Sequence, residues 1–435
     1  MSAKTVLFLP ESAYGPTNNC IGIADVLRRR GHRVVFAAES SWKGRLRPFG
    51  FEEALVDLAP PAQDGAADDA GAFWKEFIRA TAPEFRKATI EQLETFMLPT
   101  WQALIDGARY VEPQLQALLA ATAPDVVVED NVVAFPALLT CGAPYVRIVS
   151  CNPLEVPDPG IPPAYSGLPS SDESSWGRFR AAYDRTHRQL WSSFNAWVQE
   201  QGAPALPDLE FVHTSRHLNL YIYPEVMDYS RTRPLDSTWQ RLDSSVRRTD
   251  RASDLDIGSL NRPSGSRLIY LSLGSLGSAD VELMKRLVHA LSRTNHRYVV
   301  SKGPQAREYD LAANMVGAEF LPQPAILPLV DLVITHGGNN TMTEALHFGK
   351  PLVVLPLFWD QYDNAQRVEE TGLGVRLDTY RFTDEQLYAA LDQLLGDAAL
   401  TQRLTAVAAD AQARDGLTSA ADRIEALAAR GETGP

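Results

Sequence analysis

DLVITHGGNNTMTEALHFGKPLVVLPLFWDQ, residues Asp331 to Gln361, is the stretch from which the rest of the chain can be read. Asp331–Thr335 fits a short buried strand, His336–Thr341 a turn, Thr341–Phe348 a helix, and Pro351–Pro356 a second buried strand. A Gly-Gly turn between strand and helix leaves backbone N–H groups unpaired where an anion can approach closely. His336, one step before the glycines, can donate to a diphosphate. Glu344, one turn into the helix, is placed to accept hydrogen bonds from ribose hydroxyls. Together they describe a site for a nucleotide diphosphate carrying a sugar. Strand–Gly-Gly–helix turns are also common as purely structural features of α/β proteins. The chain has no Gly-x-x-x-x-Gly-Lys-Ser/Thr, and no Gly-x-Gly-x-x-Gly after its first strand. Both absences argue against a P-loop protein or a dinucleotide dehydrogenase.

Outward from this stretch the pattern repeats. Thr5–Leu9 reads as a strand, Pro16–Arg30 as an amphipathic helix ending at Gly31, and Arg33–Ala37 as the next strand. Pro124–Glu129 and Tyr145–Val149 are further buried strands, and Arg267–Leu273 opens a second β-α-β series. This rhythm predicts doubly wound parallel sheets. Between the early strands, Phe73–Leu119 carries helical spacing with many aromatics, among them Phe73, Trp74, Phe77, Phe85, Phe96 and Trp101. Asn152–Gly167 reads as loop, Trp176–Gln201 as helix and Asp228–Ser266 as a polar linker. After the second series begins, Leu271–Ser278 is a turn of small residues before a helix at about Ala279–Arg293, a second place where phosphate oxygens could be held. The segment Asp384–Gly431 is rich in Ala and Leu and reads as helical.

At 435 residues the chain suits two domains of roughly 200 residues each. Its 41 basic and 54 acidic residues give a net charge of −13, which argues against nucleic acid or an anionic membrane as a partner. Any diphosphate must therefore be held by local donors against the overall field. Three cysteines (Cys20, Cys141 and Cys151) are few and odd in number, which fits a reducing cytoplasm. MSAKTVLFLPESAYG reads as a first strand and not as a leader, and no apolar run is long enough to span a membrane.

The ordered set Phe320, Pro322-Gln323, the His336 turn, Glu344 and Asp360-Gln361 resembles the donor-binding signature of the UDP-glycosyltransferase superfamily (glycosyltransferase family 1, GT-B fold, bacterial natural-product type). The likeness is dense from Phe320 to Gln361, and the general layout extends over nearly all the chain. It implies two Rossmann-like domains facing a cleft: an acceptor-binding domain over 1–230, a linker over 231–266, a nucleotide-sugar domain over 267–415, and a terminal helix over 416–435 packing back on the first domain. It implies inverting transfer of a hexose, with glucose from UDP-glucose the expected donor, to a small hydrophobic acceptor, phenols among the candidates. Ser275, Gly338, Asn340, Thr341 and His336 would hold the diphosphate, with His336 stabilising the leaving group. Phe320 and Gln323 would hold the base, Glu344 the ribose, and Asp360 and Gln361 the sugar. Phenylalanine at 320 departs from the family's usual tryptophan but keeps a stacking face. No metal and no cofactor beyond the donor is implied, and a monomer or homodimer is expected.

One requirement is unmet. The family's general-base histidine falls, counting back from Arg30-Gly31-His32, at Pro16, which has no proton chemistry but suits a first helical turn. His32 lies at the far end of that helix and reads as a cap or a solvent-exposed residue. Asp130 matches the carboxylate that would orient the histidine and is the candidate base, directly or through water. Its alternative reading is a turn or capping aspartate. Glu11, Ser12, Tyr14 and Thr17, on the same loop as Pro16, are the other acceptor-side candidates. Loss of the histidine also leaves room for a non-catalytic nucleotide-binding relative that assists another enzyme, and a nucleotide-sugar epimerase would share the architecture.

Overall fold

The computed structural model describes residues 2–60, 80–249 and 255–430. Phe73, Trp74 and Phe77 lie outside them, as does part of the linker. The first half builds a seven-stranded sheet from β1 (Thr5–Pro10), β2 (Arg33–Glu39), β3 (Glu52–Val56), β4 (Val126–Asp130), β5 (Tyr145–Val149), β6 (Leu218–Ile222) and β7 (Trp239–Leu242), in the order β3-β2-β1-β4-β5-β6-β7. The second half builds a six-stranded sheet from β8 (Leu268–Ser272), β9 (Arg297–Ser301), β10 (Met315–Ala318), β11 (Leu332–Thr335), β12 (Leu352–Val354) and β13 (Gly374–Arg376), in the order β10-β9-β8-β11-β12-β13. Every pairing is parallel.

Parallel sheets need helices on both faces, so their strands are apolar throughout. Val126 and Val128 pack on one face of the first sheet and Val127 on the other. The helices that bear on the argument are α1 (Tyr14–Arg29), α2 (Leu98–Thr122), α3 (Trp176–Glu200), α4 (Val281–Ser292), α5 (Asn339–His347), α6 (Gln361–Glu370), α7 (Asp384–Gly396), α8 (Ala398–Arg414) and α9 (Gly416–Arg430). None of the described helices is long and apolar enough to cross a membrane. In each sheet the chain runs outward from its first strand, then returns on that strand's other side. The crevice at the strands' carboxyl ends therefore opens between β1 and β4, and between β8 and β11, where such sheets bind ligands.

Three local readings change. Trp239–Leu242, inside the stretch assigned to the linker, hydrogen-bonds to β6 as the edge strand of the first sheet. Helix α5 begins at Asn339, so Asn339 and Asn340 belong to its first turn and not to the loop before it. His32 is neither a cap nor exposed: it is buried, its Nδ1 accepts from the Lys4 N–H at 3.1 Å, and its Nε2 lies 2.7 Å from Glu425 Oε1.

That last contact ties α9 to the first half. Arg30 reaches Glu425 at 2.5 Å and Asp422 at 2.8 Å, while Leu417, Ala420, Ala421, Ile424 and Ala428 enter the apolar layer beneath α1. Gly22 permits the approach, since a Cβ there would stand 2.9 Å from Leu417. Ile424→Ala is expected to cost about 2–5 kcal/mol, the range for truncating a buried isoleucine. Denaturant unfolding followed by far-UV circular dichroism measures it, and an unchanged midpoint would mean that α9 is not part of this core.

Candidate active site

Asp130 ends β4 beside Pro10 of β1, at the first sheet's switch point. It is buried, its Oδ1 accepts from Ser150 Oγ at 2.6 Å, and its Oδ2 has no hydrogen-bond partner. Burial pushes its pKa up to about 8 against the pull of the Ser150 hydroxyl and the Asn19 side chain, with Glu155 and Glu11 adding repulsion. The aspartate is therefore a strand residue and caps no turn. Glu11, whose N–H donates to the Asp130 carbonyl at 2.8 Å, is raised to about 7, mainly by burial.

The other loop residues are already engaged. Thr17 is buried and its hydroxyl donates to the Glu11 carbonyl at 3.1 Å. The Ser12 carbonyl accepts from Trp42 Nε1 at 2.9 Å, and its hydroxyl bonds Glu39. Pro16 sits in the first turn of α1, half-buried. Tyr14 leans across the cleft onto Phe320, ring centroids 5.3 Å apart.

On the opposite side, the His336 ring lies on glycine. A Cβ at Gly274 would be 2.8 Å from the ring and one at Gly338 would be 2.5 Å from its Nε2. Gly274 also has φ +70°, which glycine adopts without strain. Ser275 is half-buried in the short helix Gly274–Gly277 next to it. The imidazole bonds the backbone of Ser272, and burial lowers its pKa to about 4, so the ring is neutral at pH 7.

Gln323, Thr341 and Glu344 form one chain of hydrogen bonds. Thr341 Oγ1 donates to Gln323 Oε1 at 3.3 Å, and Gln323 Nε2 donates to Glu344 Oε2 at 2.6 Å. Glu344 Oε1 is met at 3.3 Å by Arg247, which the linker carries into the site. Phe320 stays 46% exposed, leaving part of its ring open beside this chain.

The two sides are joined directly. Asn339 Nδ2 donates to the Ser150 and Ile222 carbonyls at 2.9 and 2.8 Å. Asn340 Nδ2 donates to the Gly15 carbonyl at 2.8 Å, and its Oδ1 accepts from Asn19 Nδ2 at 2.9 Å. One residue, Ser150, thus touches both Asp130 and the first turn of α5. Asp360 Oδ2 accepts from the Asn152 N–H at 2.8 Å, and burial raises the carboxyl to about 7. Gln361 Oε1 accepts from the N–H groups of Leu357 and Phe358 at 3.0 and 3.3 Å, bracing its own turn. Of the two residues expected to meet a sugar, Asp360 thus bonds across the cleft and Gln361 within its own half. Sequence reading missed Asn19, Ser150, Asn152, Asn339 and Arg247. Only the Asn-Asn pair carried any signal, as residues at a helix start. Among the described residues no cluster of metal-ligating side chains occurs.

Residues 248–410 match the family model for UDP-glucoronosyl and UDP-glucosyl transferase. The oleandomycin glycosyltransferase of Streptomyces antibioticus is 26% identical over 97% of this chain and 90% of its own length. The NDP-glycosyltransferase YjiC of Bacillus subtilis (strain 168) is 25% identical over 95% of each. The crystal structure of the kitacinnamycin glycotransferase superposes with a TM-score of 0.68 at 22% identity, covering 98% of this chain and 99% of that one. Residues 248–410 thus match that family, and the chain as a whole has the GT-B fold. It is an enzyme of glycosyl transfer, and the non-catalytic reading is set aside.

In this glycosyltransferase the glycines matter because they let the His336 ring sit where a side chain would otherwise be. His336→Ala is expected to lower turnover roughly ten- to a thousandfold, the scale for losing one charge-stabilising donor. Gly338→Ala should reproduce much of that loss with the imidazole still present, because the added methyl displaces the ring. Steady-state kinetics compares the two. Normal turnover in Gly338→Ala would mean that the ring's seat is immaterial.

Proposed function

We propose that the enzyme transfers glucose from UDP-glucose, with inversion, to a small hydrophobic phenol, and that Asp130 receives the phenol's proton. The observation that carries this reading is Asp130 Oδ2, buried without a partner beside the donor turn, where Pro16 occupies the usual histidine position. A carboxyl held near pKa 8 is a far better base than an ordinary aspartate, and a phenol of pKa about 10 is within its reach.

The phenol oxygen attacks the anomeric carbon from the face opposite the diphosphate. As that bond forms, the bond from the anomeric carbon to the β-phosphate oxygen breaks and its electron pair leaves with UDP. The proton passes to Asp130 Oδ2. Charge growing on the diphosphate meets the N–H groups at the start of α5, the Ser275 hydroxyl and His336. One nitrogen of the neutral His336 ring is engaged with the Ser272 backbone. The diphosphate's own charge would raise the imidazole pKa and let the ring meet it as an imidazolium. Asn19 and Ser150 are positioning residues that hold base and donor turn in one frame.

The ribose hydroxyls are assigned to Glu344, which Gln323 and Arg247 orient from either side. Wild type should prefer UDP- over dTDP-glucose in direct competition, and Glu344→Ala should erode that preference. A wild-type preference for dTDP would sink the ribose assignment.

The base predicts a pH profile. Asp130 works in its ionised form, so kcat/KM should rise about tenfold per pH unit below pH 8 and level off above it. Asp130→Asn should flatten that limb and lower kcat/KM for the phenol by roughly 10²–10⁴, with unactivated alcohols losing all transfer. Retention of the same limb in Asp130→Asn but not in Glu11→Gln would move the base to Glu11.

A further inference from the structure

The outer edge of the first sheet holds a cavity of about 390 Å³. That is within the range small-molecule sites occupy, about 300–1,000 Å³. It opens where the chain passes from β6 to β7, and none of its lining residues belongs to the candidate active site. Tyr221 of β6 and Trp239 of β7 form one wall, their rings set edge to face with centroids 6.2 Å apart. Tyr229, Pro234 and Leu235, from the loop between the two strands, supply the rest of the apolar lining.

Three charged residues complete the lining, and two of them are already matched. Arg241 meets Glu225 at 2.9 Å, Asp228 at 3.5 Å and Asp243 at 3.6 Å. Asp228 also accepts from the Tyr221 hydroxyl and the Tyr229 N–H, each at 2.8 Å. Arg231 differs. Its terminal nitrogens donate to the carbonyls of Val156 and Pro153, each at 2.6 Å, and its Nε is buried without a hydrogen-bond partner. Among the described residues no carboxylate forms an ion pair with it. Asp158, which lies near, is spent on the N–H groups of Gly160, Thr232 and Arg233. Burial lowers the Arg231 pKa against the pull of Asp228, Tyr221, Asp158 and Tyr229. A half-buried guanidinium lacking a carboxylate carries a desolvation cost that an entering anion offsets. The lining as a whole keeps one positive charge in excess, which calls for a monoanion, while its walls call for a flat apolar body.

We propose that this cavity is a second ligand site, for a small planar carboxylate, with the anion paired to Arg231 and the ring held against Trp239 and Tyr221. The site is independent of the donor and acceptor assigned above, yet its rim is tied to the second half. Arg367 of α6 donates to the carbonyls of Met227 and Asp228 at 2.7 and 2.6 Å and lies 4.8 Å over the Tyr229 ring. The Tyr229 hydroxyl accepts from Asn152 at 3.2 Å, and the Asn152 N–H donates to Asp360. A bound carboxylate would therefore brace the loop through which the first half grips α6.

The probe is benzoate, titrated by calorimetry into the UDP-loaded full chain. Benzamide is its uncharged counterpart, and hexanoate is a carboxylate without a ring. Benzoate should bind roughly tenfold more tightly than benzamide, the scale of one charge-assisted hydrogen bond, and several-fold more tightly than hexanoate. Arg231→Gln should remove the preference for benzoate over benzamide. Leu235→Trp, which fills the cavity, should abolish benzoate binding and leave turnover of UDP-glucose unchanged. Three outcomes would overturn the proposal: no heat from millimolar benzoate in wild type, equal affinity for benzoate and benzamide, or unaltered benzoate binding in Leu235→Trp. The last would place the probe elsewhere on the molecule. Should Arg231→Gln fail to fold, because its guanidinium braces the chain at Pro153 and Val156, Leu235→Trp and the benzamide comparison decide between them. Failure of the transferase reading looks different, since absence of transfer to any phenol would leave these titrations as they are.

Discussion

Two adjacent side-chain amides hold the cleft in its observed form. Asn339 and Asn340 project from the first turn of α5 and bond to Ser150, Ile222, Gly15 and Asn19 in the other half. Because they lie at the N-terminus of α5, the proposed donor site and the interdomain contact share one helix end and cannot move independently. The linker reinforces the frame: Ser245 donates to Asn19, and Ser244 Oγ lies 2.8 Å from His347 Nδ1. An apolar layer running from Trp101, Phe96 and Phe85 to Phe358 makes the two halves share a core in this arrangement.

Such closure has an electrostatic consequence. Glu11, Asp130, Asp360 and Asp363 are all raised, to between about 7 and about 8, and burial is the largest cause for each. Folding therefore takes up protons around neutral pH. With folded pKa values above the unfolded values near 4, each group's ionisation disfavours the native state, so its contribution to stability falls as pH rises from about 4 to its folded pKa and then levels. The desolvation that raises Asp130 is thus part of a wider cost, offset by the hydrogen bonds that cross the cleft.

Pro16 fits its place in this setting. Proline suits the first turn of α1, and the carbonyl of Gly15 before it accepts from Asn340. The helix keeps its entry and its contact to the start of α5, and on the proposed reading the proton chemistry falls to a neighbour. That neighbour is Asp130, whose Oδ1 accepts from Ser150 while Oδ2 has no hydrogen-bond partner.

The parallel two-sheet fold was legible in the sequence because runs such as Val126–Val128 and Leu332–Thr335 are apolar on both faces, a pattern that only helix-covered strands satisfy. The turn at 337 and 338 was legible as a strand-to-helix connection because glycines followed by helical spacing mark one. Edge strand β7 was not, because Trp239-Gln240-Arg241-Leu242 is short and half polar, as an edge permits. Nor were His32 paired with Glu425, Arg247 paired with Glu344, or Trp359 set against Trp101 and Tyr165. Local pattern reports how a segment pairs with its own neighbours and which face it buries. Partners hundreds of positions away, and the burial that lifts Asp130 toward neutrality, exist only once the two sheets have come together.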